Sequence, residues 1–575
     1  MDCPKADHSI DIAQNDGKFI ENTPLDVLYY AGLFCISSAS IAFEINLTRL
    51  FSVAQFYHFA FMIVSTALLG NAASGILIMV FPKIGKSSPK LLLTWSALCA
   101  GVSMIVAYLL FNHIPFDSFS VSWDIRQARL LLFHYFLLSL PFLFCGITLS
   151  FLLSAFPQNT GKLYSINLTG SALGCIFALV LPGTLGGDGI VIFCSGLAAI
   201  GAILFGFNTV KLKSTRKNYF PNTSWVRAPV IIAFMVILLA GTDFGFRFFD
   251  QSFIPWMTLK ISPYKWLSQV MQIPYSKLLT QKWNAFSRID LVESSAIRSL
   301  PGLSYRYQSL LPRQNGLFVD GDDMSPILIS DEVNAFYDYL PLNLAFQLRP
   351  QAKTLILEPR GGLDILTAIH QGACCVTAIE QNPLIVSMAE DVYKKSQVKA
   401  LVEFERSYLK RTSESYDVIL VSLTNGYHPI QSGAYSLAED YRYTVEAFQD
   451  SLNHLTETGL LIFMRWLQYP PSEDFRAFAL AVETLDRSGG DARNQVVAFR
   501  GYNTAVVMIK RTPYTSDELI EIREFCSDRA FDLSYIPGIN PEETNRYNIL
   551  PESIYYQSYL SLIESKDRQS YYKQY

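Results

Sequence analysis

The sequence predicts an N-terminal all-α bundle of about seven membrane helices, followed by an α/β domain with a doubly wound sheet that a small β-region precedes. Half of the 575 residues are hydrophobic and only 17% are charged, whereas about a quarter are charged in an ordinary globular chain. Long stretches before Thr242 hold almost no charge, and after about residue 350 short apolar strand patterns alternate with helical patterns. The chain therefore combines a membrane part with a soluble part.

The first part of the chain is nearly free of charge. From Leu25 to Phe81 the only charged residues are Asp26, Glu44 and Arg49. A bilayer core needs roughly 20 apolar residues per helix, so we predict about seven spans between residues 25 and 249. Further nearly charge-free stretches are Leu91–Phe111, Leu130–Phe156, Ile166–Leu181, Ile190–Phe207 and Ala228–Thr242.

Two features inside these spans bear on their role. Glu44 precedes Arg49 by five residues, and a carboxylate within a membrane is either functional or paired, here as an interfacial clamp with Arg49. Gly170 and Gly174 have the spacing that lets two helices approach closely, which favours a packing role.

The composition divides the chain into six predicted parts. No cleavable signal peptide is expected, because the first 24 residues are polar and include acids. The parts are a polar tail (1–24), a transmembrane domain (25–249), a connector at the membrane surface (250–284), a small β-region (285–350), a nucleoside-binding α/β domain (351–515) and a C-terminal extension (516–575).

Charge and side-chain chemistry exclude several functions. A net charge of −4 argues against nucleic-acid binding, because no basic excess exists to contact phosphates. The nine cysteines form no C-x-x-C pair, and the seven histidines show no metal-ligand spacing. We therefore expect neither a disulfide framework nor a metal site.

The α/β part begins with a strand, a glycine turn and a helix. The apolar run Lys353–Glu358 is followed by Gly361 and Gly362, and the next strand, Val376–Glu380, ends in an acid. Such a turn brings backbone N–H groups close to a nucleotide, and an acid at the tip of the second strand binds ribose hydroxyls. The pattern predicts that Gly361, Gly362 and Glu380 bind a nucleoside.

The alternation of strands and helices continues to residue 510. Only four residues separate the last two strands, so these two must pair antiparallel. Further predicted strands are Leu401–Phe404, Tyr416–Leu423, Gly459–Trp466, Gln495–Phe499 and Thr504–Lys510, and the helices are Ile365–Gln371, Tyr443–Leu455 and Glu473–Arg487. The small β-region is predicted at Arg288–Glu293, Tyr305–Leu310 and Gly316–Asp320.

Several short motifs between residues 285 and 510 occur in a familiar order. They include Phe318–Gly321, Leu340–Leu342, Tyr416–Val421 and Tyr443–Phe448. In this order the chain resembles the spermidine synthase (polyamine aminopropyltransferase) family, and more closely its bacterial branch with a multi-span membrane N-terminus. The resemblance implies an S-adenosylmethionine-methyltransferase-like sheet, with S-adenosylmethionine or decarboxylated S-adenosylmethionine as co-substrate.

The chain departs from that family at the site. The synthases carry a Gly-Gly-Gly-Asp-Gly turn where this chain has Glu358-Pro359-Arg360-Gly361-Gly362. Where the synthases carry Asp-x-x-Asp, this chain has Ser422 and Asn425, which we place on the floor of the cofactor pocket. Neither is a carboxylate base for an attacking amine.

Other acids could replace that base. The candidate catalytic residues are Asp320, with its neighbours Asp322 and Asp323, or Glu439 and Asp440 in the loop after the Tyr416–Leu423 strand. His428 lies in the same loop, either as a ligand or base or as an ordinary loop residue.

Two functions are compatible with these residues. One is a membrane-anchored, S-adenosylmethionine-type transferase (aminopropyl or methyl transfer) with an altered acceptor site for a small-molecule amine or a lipid-borne group, and not an ordinary spermidine synthase. The other is a non-catalytic membrane transporter or complex subunit with a degenerate synthase-like domain. The expected partners are the lipid bilayer, a second copy or a membrane complex.

The side of the membrane stays open. We expect a polytopic protein of the plasma (inner) membrane, with the N-terminus inside because lysines such as Lys83, Lys86 and Lys217 share its side. Seven spans would then place the α/β domain outside, whereas an S-adenosylmethionine-type cofactor argues for the cytoplasm.

Overall fold

The computed structural model describes residues 25–55, 57–81, 89–118, 120–207, 224–249, 253–329, 335–424, 441–565 and 567–572. The chain divides into two compact units. The helical unit comprises Met1–Ser262 and Trp283–Ser287, and the sheet unit comprises Pro263–Lys282 and Arg288–Tyr575. Asn425, His428, Glu439 and Asp440 lie outside the described residues.

Within the described residues, the helical unit has seven helices that are long and apolar enough to cross a membrane, as the sequence predicts. Insertion into a bilayer stays a prediction. The helices are α1 (Val27–Ala54), α2 (Tyr57–Val80), α3 (Pro89–His113), α4 (Ile125–Ala155), α5 (Thr160–Val180), α6 (Pro182–Phe207) and α7 (Ser224–Arg247).

Helix α5 packs closely on α1 through its two glycines. A Cβ atom at Gly170 would lie 2.7 Å from the carbonyl oxygen of Phe34, and one at Gly174 would lie 2.5 Å from that of Ser38. The Ser38 hydroxyl donates a 2.8 Å hydrogen bond to the Gly170 carbonyl. These contacts account for the glycine spacing as a packing device.

The ion pairs of the helical unit that involve Arg247 lie within α7 and between α7 and α6, and the clamp considered for α1 is not formed. Residues five positions apart on a helix point in different directions, and no ion pair joins Glu44 to Arg49. Arg247 instead binds Asp243 at 2.6 Å and Asp188 at 2.9 Å.

The sheet unit begins with helix α8 (Trp266–Met271) and a four-stranded sheet in the order β1–β2–β3–β4. Its strands are β1 (Lys277–Trp283), β2 (Arg288–Glu293), β3 (Gln314–Val319) and β4 (Asp323–Leu328).

One strand expected in this small sheet is absent from its predicted place. Residues 305–310 form turns and irregular chain, with Tyr305 59% and Leu310 85% exposed. Strand β4 takes part in the sheet instead, although it contains Pro326. Proline is tolerated there because β4 is an edge strand.

The second sheet of the unit has eight strands in the order β12–β10–β11–β9–β8–β5–β6–β7. Its strands are β5 (Lys353–Leu357), β6 (Cys375–Ile379), β7 (Val398–Leu401), β8 (Tyr416–Val421), β9 (Leu455–Trp466), β10 (Val496–Arg500), β11 (Thr504–Lys510) and β12 (Asp532–Tyr535). The helices before, between and after them are α9 (Asn343–Leu348), α10 (Leu363–His370), α11 (Pro383–Met388), α12 (Glu390–Tyr393), α13 (Glu405–Arg411), α14 (Val445–Asn453), α15 (Glu473–Arg487), α16 (Ala492–Gln495), α17 (Ser516–Asp528), α18 (Ile554–Glu564) and α19 (Arg568–Tyr572).

The central strands are parallel and the final hairpin is antiparallel. Strand β5 pairs parallel with β6 and β8, and β8 pairs parallel with β9. Strand β11 runs antiparallel to both β9 and β10, as predicted from the short loop. Strand β12, from the predicted C-terminal extension, joins the same sheet beside β10.

The prediction for the seventh strand was wrong by three residues. Strand β7 covers Val398–Leu401 and pairs with β6 from Val398 onward, whereas the predicted run was Leu401–Phe404. Val402 and Phe404 are more than half exposed, so the apolar run used for the prediction continues past the end of the sheet.

The strand order creates one reversal at the centre of this sheet. From β5 the chain adds β6 and then β7 on one side, and it returns to the other side of β5 with β8. In open α/β sheets, ligands bind outside the carboxyl ends of the strands at such a switch point. The ends of β5 and β8 therefore position the candidate site.

Candidate functional site

A cavity of about 50 Å³ lies at the carboxyl ends of β5 and β8. One water needs about 10–15 Å³ of such space, so the cavity suits a few water molecules. Its lining comes from β4, from the loop after β5 and from the residues that follow β8, and includes Asp323, Met324, Ser325, Pro326, Arg360, Gly361, Asp364, Ser422 and Leu423.

The loop after β5 has an unusual backbone. Glu358 and Arg360 have φ values of 53° and 52°, and Gly362 has a φ of 88°. The left-handed region costs about 1–3 kcal/mol for a residue other than glycine. Hydrogen bonds from Glu358 N to Ile379 O and from Gly362 N to Pro359 O, both 2.8 Å, hold this conformation.

The two predicted cofactor glycines touch other parts of the chain. Gly361 N donates to Ser325 Oγ at 3.2 Å, and a Cβ atom there would lie 2.2 Å from Pro326 O. A Cβ atom at Gly362 would lie 2.6 Å from Val392 Cγ1. Their lack of a side chain thus lets the loop pack on β4 and α12.

Glu380 lies at the end of β6 and is 1% exposed. Its carboxylate accepts hydrogen bonds from Asn382 N at 3.0 Å and from Arg360 N at 3.3 Å. Burial raises the pKa of Glu380 to about 7, with Arg360 opposing the rise and Glu358 adding to it. Near neutral pH the group therefore exists in both protonation states.

Glu358 is the centre of a buried polar network. Its Oε1 accepts a 2.7 Å hydrogen bond from Gln381 Nε2, and its Oε2 forms an ion pair with Arg442. Burial, and then the hydrogen bond and charge of Glu358, raise the pKa of Glu405 to about 9. Glu405 is therefore protonated at neutral pH.

Arg360 extends this network to the small sheet. Its Nη2 lies 3.0 Å from Asp323 Oδ2 and 4.0 Å from Glu358 Oε2. Together with Arg442, it places two guanidinium groups among buried carboxylates, which lowers the cost of burying each charge. The departure from the glycine turn thus supplies a charged side chain to the cavity.

Ser422 and Asp364 meet on the other side of the cavity. Ser422 N donates to Leu357 O at 3.1 Å, which places the residue directly after β8, whereas the predicted strand continued to Leu423. Burial raises the pKa of Asp364 to about 6, and the Ser422 hydroxyl opposes this rise. Asp364 lies in the first turn of α10.

Asp320 lies in the turn between β3 and β4, away from the cavity lining. Its φ is 51°, its carboxylate accepts Arg288 N at 2.8 Å and its carbonyl accepts Lys265 Nζ at 2.7 Å. Of the described candidates, Gly361 and Ser422 line the cavity. Gly362 and Glu380 lie next to lining residues without lining it themselves, and Asp320 does not join them.

Sequence reasoning missed the roles of Glu405, Arg442 and Asp364. Glu405 follows the predicted strand Leu401–Phe404, so the rule that sites form at carboxyl ends of strands pointed to it. Asp364 carried the signal of an acid in the first turn of a helix. Arg442 carried no such signal.

Comparisons with solved structures found several of low similarity. Spermidine synthase from Thermotoga maritima aligns with a TM-score of 0.31 and 14% identity, over 49% of this chain and 87% of that one. A probable spermidine synthase from Corynebacterium glutamicum aligns with a TM-score of 0.31 and 13% identity, over 44% and 87%.

Human methyltransferase-like protein 13, in complex with SAH, aligns with a TM-score of 0.25 and 14% identity, over 35% and 89%. No family model and no curated protein matches the chain.

Proposed function

We propose that the sheet unit is an S-adenosylmethionine-type transferase domain with an altered acceptor site, carried by a membrane-spanning helical unit. The observation that carries the proposal is the buried Glu380, at the end of the strand next to the switch point. An acid in this position binds both hydroxyls of a ribose.

Glu380 has the hydrogen-bonding capacity for that role. A carboxylate offers about four lone-pair positions, and the N–H groups of Arg360 and Asn382 occupy two of them. Two remain for a ribose. S-adenosylmethionine, when bound, supplies the electrophilic carbon next to its sulfonium.

The cavity must widen to take an adenosyl group. At about 50 Å³ it is far smaller than a nucleoside, and the side chain of Arg360 forms part of its wall. The ion pair of Arg360 with Asp323 involves side chains that are 15% and 25% exposed. We expect this pair to separate and the guanidinium to turn away when the ligand enters.

Two carboxyl groups that line the cavity can accept a proton from an acceptor amine. They are Asp323 and Asp364, and the pKa of Asp364 is raised to about 6 by burial. A base works best when its pKa is near the working pH. We assign these two acids as the base that takes the proton from the acceptor amine, because the Ser422 hydroxyl cannot act as a carboxylate base.

The charges around the cavity favour the second candidate, a non-catalytic subunit. Arg360 and Arg442 bind carboxylates of Asp323 and Glu358, which would otherwise be available to a cationic substrate. In that case the guanidinium groups are permanent structural ions and no ligand enters.

Titration calorimetry of the purified full-length protein separates the two candidates. S-adenosylmethionine, its decarboxylated form and methylthioadenosine serve as ligands. Glu380→Ala should weaken binding at least tenfold, because two charge-assisted hydrogen bonds are lost. Glu414→Ala is the matched control, because Glu414 is an exposed acid just before the amino end of β8, where it pairs with Lys353.

The outcomes are distinct. Binding that Glu380→Ala leaves unchanged would refute the ribose assignment. Failure of all three ligands to bind would support the non-catalytic subunit.

We also expect little spermidine from putrescine with decarboxylated S-adenosylmethionine as the only donor. A positioned base is commonly worth about 10²–10⁴-fold. Ser422 and Asn425 stand where the synthases have their two acids, and the acids that we assign instead, Asp323 and Asp364, would act on an amine held in a different position. Robust spermidine formation that survives Glu439→Gln with Asp440→Asn would contradict the altered acceptor site.

A further inference from the structure

Two adjacent cysteines lie at the amino end of β6, at the opposite end of the sheet from the cavity. Cys374 and Cys375 are both exposed, and their Sγ atoms are 3.1 Å apart. Cys374 N donates to Ala352 O at 3.2 Å, which holds the turn in place. No part of the proposed function uses this pair.

The two sulfurs point to the same side of the chain. Side chains of successive residues within a strand point to opposite faces. Cys374 precedes the first residue of β6, so this rule does not apply to the pair and both side chains can point the same way. A disulfide between the two is disfavoured, because neighbouring Cα atoms are about 3.8 Å apart and disulfides usually need about 4.4 Å or more. Both cysteines are free thiols in the structure.

The distance between the sulfurs selects the kind of ion they can hold. For an atom bound about 2.3 Å from each sulfur, the sulfur–atom–sulfur bond angle would be about 85°. Tetrahedral zinc needs a wider angle and two more ligands, and the described part of the chain has no group of three or more His, Cys, Asp or Glu side chains suited to a metal. A near-right angle fits a pyramidal trivalent centre.

We propose that Cys374 and Cys375 form a two-thiolate binding site for a trivalent thiophilic metalloid of the arsenite class. Thiolates are soft ligands that prefer soft acceptors. With phenylarsine oxide as the probe, two As–S bonds form and the As–O bond breaks. The oxygen leaves as water with both thiol protons, and arsenic stays trivalent.

The surroundings make the rate of capture pH-dependent. Partial burial, and then the hydrogen bond and charge of Cys374, raise the pKa of Cys375 to about 11, whereas Lys353 lowers it and Glu414 raises it. The thiolate is the attacking form of a thiol, so the rate of capture should rise with pH. The extent of capture should not change, because both thiol protons leave with the water.

The test treats the reduced full-length protein with one equivalent of phenylarsine oxide and then with excess 2-mercaptoethanol. Intact mass spectrometry should show one retained adduct, which digestion places on the peptide 361–394. Dithiothreitol should remove it. Cys374→Ser and Cys375→Ser should each lower retention about 10²-fold or more, because a single thiol loses the second attachment.

Cys175→Ser is the matched control, since Cys175 is also exposed but has no neighbouring thiol in the sequence, and it should retain the adduct. If 2-mercaptoethanol by itself removed the adduct from the wild-type protein, that result would overturn the proposal without any variant. So would an adduct that persists in the Cys374→Ser, Cys375→Ser double variant.

Discussion

Replacing Gly361 by alanine tests whether the glycine turn serves packing or ligand binding. The new Cβ atom would lie 2.2 Å from Pro326 O, 2.9 Å from Pro326 C and 3.3 Å from Ile327 Cγ1. The two nearest atoms belong to the backbone of β4, which cannot rotate away as a side chain can. We expect the loop and β4 to separate.

The expected loss of stability follows from this overlap. Overpacking a close-packed site costs about 1–3 kcal/mol, and a backbone obstacle places Gly361→Ala at the upper end, at about 3 kcal/mol. Gly372→Ala is the matched control, because Gly372 has a φ of 80° and no atom within 4 Å of a new Cβ. Its cost is conformational strain alone, about 1–2 kcal/mol.

Thermal unfolding of the full-length variants should show this difference, with Gly361→Ala about 5 °C or more below the wild type. Hydrogen exchange of a peptide that covers β4 should also accelerate in Gly361→Ala and not in Gly372→Ala. A Gly361→Ala protein with wild-type stability and unchanged exchange, but with weaker adenosyl binding, would refute the packing argument.

Three further predictions concern stability. In the folded state the pKa of Glu380 is about 7, against an ordinary 4.5. Its contribution to the free energy of unfolding is therefore fully present below pH 4.5, and it falls by about 3 kcal/mol as the pH rises through 7. Between pH 5 and 8 the thermal midpoint of Glu380→Gln should therefore decline less than that of the wild type. An equal decline of the midpoint with pH in both proteins would contradict this prediction. Tyr559→Phe removes the 2.9 Å hydrogen bond to the buried Asp474 and should cost about 1–3 kcal/mol in thermal unfolding, and an unchanged midpoint would argue against it. Gly174→Leu should lower the thermal midpoint in detergent because its Cβ would meet α1 at 2.5 Å, whereas Gly161→Leu, with nothing within 4 Å, should not; equal effects would count against close helix packing.

Much of the fold was predictable because its signals are local. Seven long apolar helices and most of the sheet follow from runs of hydrophobic residues, and α15 and β11 begin and end where the sequence predicts. Glu380 could be placed because the end of a strand and its spacing from the glycine turn are readable along the chain. The β4 strand was hidden by Pro326, whose edge position is visible only in the sheet.

By itself, the sequence determined the apolar helices, the alternation of strands and helices, and the acid at the tip of β6. Only the tertiary structure decided which charges meet. Arg442 and Glu358 are 84 residues apart in the chain, and Arg360 meets Asp323 across two different sheets. Such pairs form because the ends of distant strands reach the same edge, where burial in a low dielectric makes each charge require a partner. No local pattern records that requirement, since the partners come together only after the strands have paired.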